Sequence, residues 1–426
     1  MSNNINRTEI AKGVFFTAIC DKRFKMNKIT VNFMAQLDEK TVALNAVVPG
    51  ILSKSSRTYP TFKELNNKLS ALYAARLSDT VGKLGDTQYM GLSVTSVDDA
   101  YALDGEKITE EALDIMLDCL FNPVVENGVF PEKTTALEKQ MLIDDIQAEL
   151  NDKRSYAVHK GAEMAFRGEP ASLSQDGTVE LAEKITPKDA YDAYENMLAH
   201  CPVEIICVGC NDFESAKKKL AKSFGEVERG EIFLCRSDIS KAKEAAEEQT
   251  DKLSVTQSKM VLVMKSDLDN PSAIRIMSKV YGGTTTSKLF LNVREKLSLC
   301  YYCWARYNEK KGAMLIDCGI ENSNIEKAKA EIIAQFEDMK KGNFTDDDVM
   351  FAKLNAQNTM KTIGDSLSAI AGWYLSAIYM NDIKTPEEVM EQDMAVTREQ
   401  IIEAANSMKL DTVYILTSNG EGEANE

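Results

Sequence analysis

Arg294 and Tyr301 stand seven positions apart in YGGTTTSKLFLNVREKLSLCYYCWARY, which begins at Tyr281. A guanidinium offers a rigid fork of donors, and a phenol offers one more. Together they can hold a backbone carbonyl and stabilise the oxyanion that develops on it. A plainer reading competes: Arg294 at a solvated helix end, then a strand aromatic packed in the core. On residue types alone the plainer reading leads. Gly282-Gly283 lacks the G-x-x-x-x-G-K-[ST] pattern of a phosphate loop and reads as a turn and helix start.

Metal chemistry has few donors to draw on. The chain has two histidines, His159 and His200, 41 residues apart on separate predicted elements. His159 reads as a helix-surface residue. His200 reads as a helix C-terminus, where a cation is favoured. Cys207-x-x-Cys210 and Cys300-x-x-Cys303 could together make a four-cysteine zinc site. Both fall in or beside strand-like runs, where alternate side chains point to opposite faces, so a metal site is not expected of them. Neither has the helix N-terminus that a redox pair wants.

A second stretch raises a question of its own. Residues 46–52 read AVVPGIL, an apolar helix-like run with Pro-Gly in its middle. Proline removes a helix donor and crowds the preceding turn, and glycine adds backbone entropy. The pair predicts an interrupted helix.

These residues need a scaffold, and the chain describes it twice. Lys28–Leu37 and Lys259–Lys265 have strand character, each followed by a polar turn and an apolar helix. Paired strands follow at Leu77–Lys83 with Thr87–Thr95, and at Cys300–Tyr307 with Ala313–Ile320. Then come two helices in each half, near Thr109–Phe121 and Pro131–Asn151, and near Ile325–Lys341 and Thr345–Thr362. Each half closes on a threonine-capped helix and a β-rich run, with Thr186 and Thr397 as the caps. The order predicts an α+β fold of two homologous domains, each a largely antiparallel sheet with helices on one face. The domains are read as 1–238 and 253–426, joined by a charged linker at 239–252.

The 426 residues carry a net charge of −16 with scattered Lys and Arg, which argues against nucleic-acid or anionic-membrane partners. No apolar run is long enough to span a bilayer. Near the N-terminus the run Val14–Cys20 is short and has no cleavage pattern, so it does not read as a signal peptide. Nine unpatterned cysteines fit a reducing cytoplasm.

The segment from Tyr281, with its glycine turn, Leu289-Phe290, Arg294-Glu-Lys and Tyr301, closely resembles the C-terminal half of the insulinase-like (pitrilysin-type) zinc peptidases. The doubled architecture is similar too. The resemblance implies that Arg294 and Tyr301 bind the substrate carbonyl, and that the Gly282-Gly283 turn faces the substrate chamber. In active members an early helix carries His-x-x-Glu-His, with a further Glu downstream. With Lys54 and Pro60 setting the register, the two His positions fall on Ala46 and Gly50, and the Glu on Pro49. Glu138 and Asp145 take the places of the supporting carboxylate and the ligand carboxylate.

The resemblance therefore implies a degenerate, non-catalytic subunit with no cofactor of its own. Zinc is expected only in a partner. That partner is an active homologue in a heterodimer, or a second copy in a homodimer, and the pair encloses an unfolded peptide. Alternatives from other classes are a peptide-binding or scaffold protein with no part in proteolysis, including a role in elongation factor P modification, and an active zinc peptidase with unrecognised ligands.

Overall fold

Along Met26–Gln36, MNKITVNFMAQ, every second residue turns to one face of a sheet. Ile29, Val31, Phe33 and Ala35 enter a hydrophobic core, while Thr30 and Asn32 point the other way. This strand, β3, lies inside a six-stranded sheet. Its neighbours are β1 (Thr8–Ala11), β2 (Val14–Cys20), β4 (Arg76–Leu84), β5 (Thr87–Val97) and β6 (Val203–Gly209), in the order β1-β2-β6-β3-β5-β4. Only β2 and β6 run parallel. The molecule, a computed structural model, is described here over residues 6–419.

A second sheet joins β7 (Glu247–Leu253), β8 (Ser258–Lys265), β9 (Cys300–Asn308), β10 (Ala313–Ile320) and β11 (Lys409–Ser418), in the order β7-β11-β8-β10-β9. Its one parallel pair is β7 with β11. Strand for strand this repeats β2-β6-β3-β5-β4, so the duplication read from sequence holds at the level of topology. The main helices cover one face of each sheet. Thr186 and Thr397 cap the helices Pro187–His200 and Arg398–Ser407, each within a capping box.

The doubling explains two stretches whose sequence misleads. The short apolar run Val14–Cys20 is β2. Its counterpart β7 lies within the charged stretch read as a linker. As an edge strand beside β11 it keeps its charged side chains in solvent, and Glu247 and Glu248 pair with Arg167 and Lys329. Such a strand shows no apolar alternation.

Two compact units interleave along the chain. Over the described residues, one takes in 6–147, then Leu173–Arg236 and Asp365–Ile383; the other takes in Ala148–Ser172, Ser237–Gly364 and 384–419. In the second unit the helix Lys153–Ala165 lies on β8 and β11, so it covers the sheet face opposite the main helices. That face presents Val261, Val263, Tyr414 and Leu416, which would otherwise be wet. The approach is close at Gly161, where a Cβ would stand 2.6 Å from Val261 Cγ1. At the helix end, the buried Lys265 ammonium donates to Ala165 O and stands 3.3 Å from Asp411 Oδ1. Burial pushes the Lys265 pKa down, and Asp411 opposes this. In the first unit the helix Leu367–Tyr379 lies on β6 and β3 in the same way.

Candidate functional site

Arg294 sits on the turn of helix that leads into β9, and Tyr301 is the second residue of that strand. The leading segment, Leu289–Lys296, is a π-helix rather than an α-helix. Its wider winding buries Leu289 and Val293 but turns Leu297 outward, 45% exposed, where α-periodicity would place it on the apolar face. Leu299 N bonds Val293 O across the exit, and Ser298 adopts a left-handed φ of 49°. This tight exit brings Arg294 and Tyr301 to one depression of about 350 Å³, lined also by Glu295, Ser298, Leu299, Cys300 and Glu321.

Tyr301 is 55% exposed, so it is not a core aromatic. Its hydroxyl donates to Glu321 Oε1 at 2.8 Å, and that carboxylate raises its pKa. The Arg294 guanidinium lies 4.6 Å above the Phe290 ring and 3.1 Å from Glu295 Oε1. Both donors are thus oriented, each by a carboxylate. Sequence reasoning paired Arg294 with Tyr301 but missed Glu295, Glu321 and Cys300. Glu321 reaches the depression only because β10 pairs with β9, a register that spacing along the chain does not reveal.

Gly282 ends the helix Pro271–Gly282 and is buried against β9, where a Cβ would stand 2.8 Å from Ala305 Cβ. Gly283 follows it as the helix cap. The close approach of helix to strand accounts for Gly282.

The helix Val42–Leu52 contains Ala46, Pro49 and Gly50 and runs unbroken through Pro49. The predicted interruption is not seen. Pro49 lies in the last turns of a helix whose side chains are almost all buried, so packing holds it; the proline still deprives the carbonyl four residues back of its donor. Against this helix lies Glu138, buried, from the helix Glu132–Asn151. Lys54 Nζ stands 3.5 Å from Glu138 Oε1. Burial pushes the Glu138 pKa up, and Lys54 partly offsets this. Asp145, two turns further along, is exposed.

A catalytic zinc needs three protein ligands and an open position. Ala46, Pro49 and Gly50 carry no donor side chain, and the buried Glu138, whose Oε1 lacks a hydrogen-bond partner, would be a lone carboxylate. These residues do not fit the ion. Among the described residues no group of three or more His, Cys, Asp or Glu stands where it could hold a metal. His159 pairs with Glu149 at 2.9 Å. His200 closes its helix, bonded through Nδ1 to Glu231 O and stacked on Phe233. All nine cysteines are free, and Cys207 and Cys300–Cys303 lie in strands, as their sequence setting predicts.

Against known proteins, residues 184–355 match the family described as Peptidase M16 inactive domain. The chain is 27% identical over 401 residues to the probable inactive metalloprotease YmfF of Bacillus subtilis strain 168, covering 93% of both chains. Among solved structures it is similar to a conserved protein from Enterococcus faecalis V583, at 25% identity and a TM-score of 0.89, over 98% of this chain and all of that one. It shares its fold with a Pseudomonas fluorescens peptidase M16 inactive domain, at 16% identity and a TM-score of 0.79, over 98% of each. The doubled sheet and the match over residues 184–355 make the chain similar to inactive members of the M16 (insulinase-like) peptidases.

Proposed function

We propose that this chain is a non-catalytic partner subunit that binds peptide for an active insulinase-like peptidase. The observation that carries this reading is the convergence of Arg294 and Tyr301 on one exposed depression, in a chain whose Ala46, Pro49 and Gly50 supply no metal ligand. The zinc motif is read as lost, and the chain needs no cofactor; a partner bearing His-x-x-Glu-His brings the metal chemistry. The reading places the pair in the cytoplasm, with an unfolded peptide as substrate. A homodimer that only sequesters peptide is the lesser form of the same idea.

The role of this chain's own residues follows from their chemistry. A peptide carbonyl entering the depression would take the guanidinium fork from Glu295 and the phenol from Glu321. Both donors then face the oxygen on which negative charge develops during cleavage. Donors aimed at such an oxyanion contribute on the order of 10²–10³ in rate. Arg294 also grips a peptide backbone without regard to side chain, as suits an unfolded substrate.

The test mixes the purified chain with a full-motif homologue and follows cleavage of a quenched-fluorescence peptide. Cleavage by the mixture should exceed that of the homologue alone, and Arg294→Ala should remove most of the gain while leaving complex formation intact. Equal activity of the Arg294→Ala and wild-type mixtures would refute the role of Arg294.

A further inference from the structure

Three cysteines meet at the wall of the same depression. Cys303 of β9 stands directly opposite Cys318 of β10, and Cys300 opens β9 where the ladder shifts register at Gly319–Ile320. Cys303 and Cys318 are fully buried; Cys300 is 9% exposed and lines the depression. A small molecule in the depression therefore meets Cys300 and not its neighbours.

The groups around the three thiols are Arg294 and Glu295 from the π-helix, Tyr301 from β9, Asp317 from β10, Glu321 just beyond it, and Tyr281 from the helix Pro271–Gly282, which faces Cys303 and Cys318. Arg294 is the cation among them. The two carboxylates that line the depression are engaged, Glu295 by Arg294 and Glu321 by the Tyr301 hydroxyl. The neighbouring Cys303 and Cys318 thiols, with the Arg294 charge behind them, favour the Cys300 thiolate and hold its pKa below the usual thiol range against the effect of burial. Cys303 and Cys318 are pushed the other way and keep their protons.

We propose that Cys300 is a peroxide-reactive thiolate whose oxidation closes a disulfide with Cys303 or Cys318 in the wall of the depression. The thiolate attacks one oxygen of a hydroperoxide; an S–O bond forms, the O–O bond breaks, and the leaving oxygen departs as water or an alcohol after taking a proton. Sulfur loses two electrons and the peroxide gains them. A neighbouring thiol then attacks the sulfenic sulfur; an S–S bond forms, the S–O bond breaks, and hydroxide leaves with the thiol proton as water. Directly opposed antiparallel residues have Cα atoms about 4.5–5.5 Å apart, so exchange can pass the bridge on to Cys303–Cys318 within ordinary disulfide geometry. That oxidation alters peptide binding rests on the depression being a peptide site; the reactivity of Cys300 does not.

The experiment is limited alkylation of the full chain with iodoacetamide between pH 5 and 8, read by peptide mass spectrometry. Cys20 is the internal control, since it is exposed and its pKa is raised. At pH 6 Cys300 should label at least about tenfold faster than Cys20, because the thiolate is the nucleophile. Arg294→Gln should move the Cys300 profile to higher pH. Stoichiometric hydrogen peroxide should yield a dimedone-trappable Cys300, then a disulfide to Cys303 or Cys318. Cys20 labelling first at every pH, or peroxide leaving all three thiols reduced, would overturn the proposal. Peptide affinity measured before and after oxidation reads the consequence separately: no peptide binding in either state counts against the peptide site and leaves the labelling result standing.

Discussion

The Glu138 carboxylate fills the space beside Gly50, so that a Cβ on the glycine would lie 2.6 Å from Glu138 Oε2. Gly50 thereby makes room for a buried acid. Two opposed effects set the outcome of Gly50→Ala. Alanine in a helix gains about 1 kcal/mol over glycine, and overpacking costs roughly 1–3 kcal/mol. With Glu138 present the clash wins and Gly50→Ala destabilises. In a Glu138→Ala background the obstacle is gone and the same change stabilises. A urea-denaturation cycle over the four variants checks the sign reversal; additive effects would mean that Glu138 does not confine Gly50.

Glu138 also makes stability depend on pH. Burial raises its folded pKa above the ordinary 4.5, with Lys54 opposing. An acid with a raised folded value binds its proton more tightly when folded. Its contribution is therefore full below pH 4.5 and is lost as pH rises through the folded value. Glu138→Gln stays neutral throughout. Its Tm should match that of the wild type near pH 4 and exceed it at pH 7. A lower Tm at pH 7 would show that the Lys54 pairing outweighs the burial.

Gly161 governs how the helix Lys153–Ala165 seats on β8 and β11. A methyl there would meet Val261 Cγ1, a fully buried branched side chain with nowhere to swing. Gly161→Ala should cost roughly 1–3 kcal/mol despite its better helix propensity. Gly161→Ala with Val261→Ala should lose less than the sum of the two single changes. Hydrogen exchange of the helix amides would localise the loss; unchanged protection there would rule out loosened seating.

Most of the scaffold was legible because periodicity carries it. β3 alternates, β8 is a short continuous apolar run, the β4–β5 and β9–β10 hairpins have clear turns between them, and Thr186 and Thr397 announce their helices. Less was legible where tertiary context overrides the local signal. β7 is a charged edge strand with no alternation to see. The helix at Val42–Leu52 continues through Pro49 because burial outweighs a lost hydrogen bond. The π-helix at Leu289–Lys296 carries an apolar pattern that fits α-periodicity equally well, yet its winding decides that Leu297 faces solvent. At the depression, Arg294 and Tyr301 are near in sequence and were readable together. Glu321 and Cys318 arrive from the neighbouring strand, and only the ladder register brings them in.

The depression is gated by its own acids. Glu295 holds Arg294 at 3.1 Å and Glu321 accepts from the Tyr301 hydroxyl at 2.8 Å. On the proposed reading, a peptide carbonyl competes with both. An exposed ion pair such as Arg294–Glu295 is worth about 0.2–1 kcal/mol, and about 1.4 kcal/mol is a factor of ten in affinity. Glu295→Gln and Glu321→Gln should therefore each tighten peptide binding by about fivefold at most, and their combination by more than either. Salt should weaken the wild-type pairs and narrow the difference. Fluorescence anisotropy with a labelled unstructured peptide, using this chain without a partner, measures the effect. Weaker binding by the glutamine variants would mean that the carboxylates themselves hold the peptide, through its amide N–H groups or basic side chains, and that the depression recognises donors rather than the carbonyl oxygen.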